Sequence, residues 1–469
     1  MTTPWWRKPF DRVTLLLGAT VAIAVVGQLA APVREAAPKT IVVPISALAL
    51  TCPALPAETS DYAVALKVAL RGGNQPARVA LQSARQSVAS VKPGAIRALG
   101  VKRSAAGLVT ASGTSASQLV ADASIVGKTG PTRGYATYAC QPPSASQWLV
   151  GGSAVAGRSS TLSIANVDDV PASVNIEVWT DQGKSGARSL EGIEIPARSR
   201  TLLALTLVEP GRSMYAVHVI ATSGQVSAAI VDRGQEALTS LGVDVIAGSP
   251  EPSVSQVVGI IPAGARNARI GFVSPDVPTT VKISLITDDG EFALAGAEAL
   301  AIDADVLTFV DIPEDALVGD LAVRLRSDDP VLAGSAFLLN VRGGPDLASA
   351  TPMSPIYRAA SFTIDGGVSK ATALLRADRT TQVVIVSGIG PTQKRTTVTV
   401  GADNIVSVPL VNKSGEPRLI AIEPAQDGLV SGSVLLQRAS QGMVATSVQP
   451  LLSIRGFVAV PPVAPASSR

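Results

Sequence analysis

A chain of 469 residues is too long for one ordinary core and calls for about three or four domains of roughly 100–150 residues. Hydrophobic residues make up 46%, carried by Ala, Val, Leu and Ile, while aromatics are only 3%. Of 39 basic and 36 acidic groups, Arg7, Lys8, Arg12, Arg34, Asp11 and Glu35 lie in residues 1–38, which leaves 35 against 34 beyond them. So balanced a remainder offers no field that would draw in nucleic acid or anionic lipid.

The chain opens with a basic stretch, residues 1–12, that ends in WWRKPFDR. Residues 13–31, VTLLLGATVAIAVVGQLAA, follow without a charge. Nineteen such residues in a helix approach the length that spans a bilayer core, and the preceding basic groups keep the N-terminus cytoplasmic. Residues 13–31 are therefore expected to be an uncleaved signal anchor, contacting the membrane and exporting everything after a linker at 32–39. A signal peptide cleaved near Leu29-Ala30-Ala31 is the alternative, which would leave a secreted protein. Pro32 would directly follow that cut, and no cysteine follows the segment for a lipid anchor.

Beyond residue 40 the text turns to β-branched, alternating segments broken by Gly, Pro, Asp and Ser. Internal repetition is visible. VPASVNIEVWTDQG at 170–183 matches VPTTVKISLITDDG at 277–290 without a gap, at an offset of 107. Val174, Ile176 and Val178 alternate with Asn175, Glu177 and Trp179, as in a strand with one buried face. A second block, YAVHVIATSGQVSAAIV at 215–231, recurs as LAVRLRSDDPVLAGSAF at 321–337 and more weakly at 107–124 and 418–434; it reads as strand, turn, strand.

Pro53, Pro143, Pro252, Pro352 and Pro450 mark seams spaced 90, 109, 100 and 98 residues apart. The expectation is all-β: four units at 40–142, 143–251, 252–351 and 352–460, each with seven or eight short strands, in immunoglobulin-like sandwiches. Ile454–Val460 is expected to be the last strand of the fourth unit, with a disordered tail at 461–469. A β-propeller with two four-stranded blades per repeat is the alternative fold. Cys52 and Cys140 stand at the two seams of the first unit, and in an exported chain they read as one disulfide that closes it; two buried thiols are the alternative.

Catalytic chemistry finds little footing. The one histidine, His218, falls on the outward side of the strand Tyr215–Thr222, where the other copy has Arg324, so it reads as part of a solvated strand face. The carboxylate pairs Asp168-Asp169, Asp288-Asp289 and Asp328-Asp329 fall in expected turns. No nucleophile elbow, phosphate loop or dinucleotide fingerprint occurs, and two cysteines with one histidine do not make a zinc site, so neither a cofactor nor a metal is expected. Trp148 and Trp179 are the aromatics considered for ligand contact. Trp148 opens a strand where later units have Val257 and Tyr357, which favours packing between units, while Trp179 lies on the polar side of its strand.

YATYACQPP at 135–143, WLVGG at 148–152 and STLSIAN at 160–166, behind a basic, Trp-containing start and a membrane segment, resemble an uncharacterised actinobacterial family of exported, membrane-anchored proteins, a domain of unknown function. The resemblance implies location and no activity. The expected function is that of a non-catalytic structural or protein-interaction module of the cell envelope, with envelope proteins as partners. A module binding cell-wall polysaccharide is the alternative.

Overall fold

The computed structural model describes residues 41–53, 62–81, 88–101, 106–127, 133–410, 415–440, 443–453 and 457–460. The segment 13–31 and the tail 461–469 lie outside the described residues; among those described, no helix is long and apolar enough to cross a membrane. The chain divides into two compact units, Met1–Pro44 with Phe457–Arg469, and Ile45–Gly456. In the first, Ile41–Pro44 pairs antiparallel with Phe457–Val460. The expected final strand of the fourth unit is thus Phe457–Val460, and its partner is the strand at the other end of the chain.

The second unit is built of antiparallel ladders in four successive groups. In the first group, one sheet runs Ala47–Cys52, Gly107–Ser112, Ala77–Leu81, Ala89–Val91, and the other runs Ala95–Val101, Tyr62–Leu70, Leu119–Gly127, Gly134–Ala139. Counted along the chain, the orders are first–sixth–third–fourth and fifth–second–seventh–eighth. The second group, Ser146–Gly151 to Thr239–Ile246, and the fourth, Ala360–Ile364 to Met443–Pro450, have the same two orders when Gly183–Lys184 and Ile193–Ile195, which both pair with Ala172–Thr180, are counted together as the second group's fourth strand. Alternation explains the burial. In the second group Val174, Ile176, Val178, Val217 and Val219 of one sheet meet Leu162, Ile164, Ala228 and Ile230 of the other in one core.

The third group, Ser253–Ile261 to Gly344–Ala350, departs from the sequence reading. A turn was expected at Asp328-Asp329, yet Leu321–Val341 is one strand of 21 residues. Its first part pairs with Ser253–Ile261 and Thr279–Ile286, its last part with Ala265–Val273 and Gly344–Ala350. At the crossing Pro330 has no N–H to satisfy. Thr279 Oγ1 takes the Asp329 N–H at 3.0 Å, and Ser327 Oγ donates to the Asp329 carbonyl at 2.6 Å. Side chains thus replace the turn.

The four groups close on one another. The eighth strands, Gly134–Ala139, Thr239–Ile246, Gly344–Ala350 and Met443–Pro450, each contact the next, and the fourth contacts the first. Thr137, Val245, Ser349 and Gln449, one from each, line a common cavity of about 20 Å³. Within the first group, Cys52 and Cys140 form a disulfide across 88 residues of chain, with Cα atoms 4.4 Å apart. It ties the end of the first strand to the residue following the eighth.

Candidate functional site

The chemistry-bearing side chains collect at the seams between groups, and the seam between the second and third is the most densely built. Register decides it. On the outward face of the second group's first sheet, Trp148 lies opposite His218, His218 opposite Glu177, and Trp179 opposite Ala216. The Trp148 ring stacks on His218 at 3.8 Å and 9°, and on Trp179 at 5.3 Å and 28°. Trp148 Nε1 donates to Glu251 at 2.7 Å, and Trp179 Nε1 donates to Asp305 of the third group at 2.7 Å. Leu307 N–H donates to the Thr180 carbonyl alongside at 2.9 Å.

The two tryptophans are therefore brought together but enclosed. Trp148 is 6% and Trp179 1% exposed, in a cluster with Val273, Leu307 and Leu332 of the third group. Trp179 is packed although it lies on the polar side of its strand, because the last outward position of the third strand faces the next group. Ile286, at the matching place, is buried for the same reason. Close approach of the backbones completes the seam: a Cβ on Gly334 would meet Val150 Cγ1 at 2.8 Å.

His218 is also held more tightly than a solvated strand face would allow. Its Nε2 lies 3.0 Å from Ser146 Oγ and its Nδ1 3.3 Å from Glu177 Oε2, a serine–histidine–carboxylate chain. Burial lowers the His218 pKa from its usual value against the opposing pull of Glu177, which favours the neutral ring. Burial raises Glu177, but the hydrogen bond and charge of Lys184 outweigh it and hold the carboxyl below its usual range. In a catalytic triad the serine proton goes to histidine. Here Glu251 Oε1, 3.2 Å from Ser146 Oγ, competes for that proton, and Trp148 covers one face of the ring.

Arg324 takes the corresponding place in the third group, opposite Val257 and Ser284. Its side chain is 6% exposed and bonds Glu291 at 2.5 Å and Asp403 of the fourth group at 3.3 Å. Arg376 bonds Asp378 at 2.6 Å and stands 3.7 Å from Asp403, while Arg326 reaches Glu291 at 3.0 Å. Burial, then the Arg376 charge, lowers the Arg324 pKa from its usual value. Asp403 and Asp305 both have positive φ, 54° and 63°, and stand shortly before Ile405–Pro409 and Thr308–Asp311. Each sends its carboxylate back to the preceding group. A cleft of about 360 Å³ opens beside this second seam.

At the seam that closes the ring, Lys67 is fully buried and lies 3.4 Å from Asp365. The Tyr135 hydroxyl donates to the same carboxylate at 2.7 Å. Burial raises Asp365, but the charge of Lys67 and the bond from Tyr135 outweigh it, so it stays below its usual range. Asp122 accepts from the Thr363 N–H at 2.7 Å and from Gln449 Nε2 at 3.1 Å.

The acidic pairs do not assemble into a site. Asp168-Asp169 and Asp288-Asp289 lie in bends, with Asp169 bonded by Arg198, and Asp328-Asp329 lies within the long strand. Among the described residues, no group of three or more His, Cys, Asp or Glu side chains could hold a metal ion. Sequence reasoning missed Glu251, Arg376 and Lys67. Only Lys67 carried a local signal, a lone charge inside the apolar strand Tyr62–Leu70.

Residues 95–411 match the model of a family described as a family of unknown function, DUF5719. No curated protein matches the chain. Among solved structures, one described as the structure of infectious bursal disease virus Gx strain is 11% identical, covering 87% of this chain and 84% of that one. Its TM-score of 0.12 carries no argument about fold or function.

Proposed function

We propose that this chain, which belongs to the family of unknown function DUF5719, is a non-catalytic scaffold of an actinobacterial cell envelope. Residues 13–31 anchor it as a single-pass segment with the N-terminus cytoplasmic, and the region after residue 40 stands outside the membrane. The four groups are tandem immunoglobulin-like repeats. Their strand order supports that over propeller blades, because neighbours in sequence are mostly not neighbours in the sheets, whereas a blade is a simple meander.

The observation that carries the scaffold reading is the closure of the fourth group onto the first. Closure turns four small sandwiches into one stiff platform whose loops can be varied without loosening the frame. The near-neutral charge beyond residue 38 supports protein partners over nucleic acid. Crosslinking in intact cells followed by affinity capture of the full chain tests it. A reproducible set of envelope proteins is expected, and recovery of the chain alone would overturn the reading.

A further inference from the structure

Two equivalent seams are filled differently. Trp148 fills the first seam, opposite His218; at the second, the residue opposite Arg324 is Val257. The smaller side chain leaves open the cleft of about 360 Å³, at the lower end of the ~300–1,000 Å³ range of small-ligand sites. Its lining includes Arg324, Arg326, Arg376 and Asp403 as well as Val257.

We propose that this cleft binds a neutral saccharide, of mono- or disaccharide size. This goes beyond the scaffold reading and stands whether or not that reading holds. Charge decides the ligand class first. Arg324, Arg326 and Arg376 are matched by Glu291, Asp378 and Asp403, so no net positive field remains to hold an anion. Guanidinium and carboxylate groups instead offer paired donors and paired acceptors in fixed planes. Vicinal hydroxyls, each both donor and acceptor, match such pairs.

Unmet polar capacity points the same way. Gln256 is 5% exposed, and its Oε1 has no hydrogen-bond partner among the described residues; Arg376 Nε has none either. A buried polar atom left without a partner forfeits a hydrogen bond that water would have supplied, so a ligand hydroxyl that reaches it is favoured. Pro352 and Met353 supply an apolar wall against which the C–H face of a sugar ring can lie. The saccharide alternative assigned to Trp148 and Trp179 thus moves one seam along the ring.

Isothermal titration of the full chain in detergent micelles tests the proposal, with maltose and N,N′-diacetylchitobiose as neutral probes and glucuronate and glucose 6-phosphate as anionic ones. Saturable binding of a neutral probe with Kd below about 1 mM is expected, and no binding of the anionic pair. Val257→Trp, which copies the filled seam, and Arg326→Ala, at the cleft rim, are each expected to weaken binding more than about tenfold. The thermal midpoint shows whether each variant is folded; if one is not, the other decides. No binding of either neutral probe, binding of the anionic probes alone, or unchanged affinity in the folded variants would overturn it.

Discussion

Asp244 gives the ring a stability that falls as pH rises. The residue sits on the eighth strand of the second group, 3% exposed, and pairs across the ladder with Asp232, itself buried. Burial pushes its carboxyl up from 3.8 to about 7, against the opposing bonds from Val245 N–H and from Ser349 of the third group. Because the folded value lies above the unfolded one, the folded state keeps a proton that the unfolded chain gives up. Stability is fully present below about pH 4, is lost progressively to about pH 7, and is then flat. A shift from 3.8 to about 7, at ~1.36 kcal/mol per unit, amounts to about 4 kcal/mol. Asp244→Asn removes the titration and keeps an acceptor for Val245. Urea unfolding of both proteins should give similar midpoints near pH 4 and a variant more stable by up to about 4 kcal/mol at pH 8. A difference that stays constant between pH 4 and 8 would refute the reasoning.

Reducing the Cys52–Cys140 bridge, or replacing both cysteines with serine, should cost roughly 4–5 kcal/mol, the chain-entropy term for a closed loop with ends 88 residues apart. Denaturation with and without reductant measures it, and coincident curves would sink the assignment of a stabilising staple. Lys67→Met removes the cation that acts most strongly on the buried Asp365 carboxylate and should cost about 3–5 kcal/mol, while the double variant Lys67→Met/Asp365→Leu should recover most of that. A double variant as unstable as the single one would show that packing, and not the lost Lys67–Asp365 attraction, is what matters there. A fluorophosphonate probe should leave Ser146 unlabelled, since Glu251 competes with His218 for the hydroxyl proton. Labelling at Ser146 that His218→Ala abolishes would make the chain an enzyme.

The strands were legible because each has one neighbour type on each face. Val174, Ile176 and Val178 alternate, and they are buried where alternation puts them. The same rule failed at Trp179 and Ile286, which sit on the outward face yet are closed off by the following group. Local periodicity carries no information about a surface supplied from a hundred residues away. The turn expected at Asp328-Asp329 failed for a different reason. Asp, Asp and Pro favour a turn locally, but Thr279 and Ser327 satisfy the backbone there, and the strand runs on. The partner of Phe457–Val460, at the far end of the chain, was equally out of reach of any local pattern.

The similar sheet arrangement of the groups explains why the seams, and not the cores, hold what is distinctive in this protein. A core position is fixed by packing in each group, so Val217 and Val323 are interchangeable in kind. The adjacent outward position is free to differ, and it does: His218 stacks under Trp148, while Arg324 reaches Glu291 and Asp403 beside a gap left by Val257. One seam is thereby sealed and the next is left open. A ring needs every seam to hold, but it does not need every seam to be filled. With the closing seam tied by Lys67, Asp365 and Asp122, the second seam can carry an open, polar cleft at little cost to the frame.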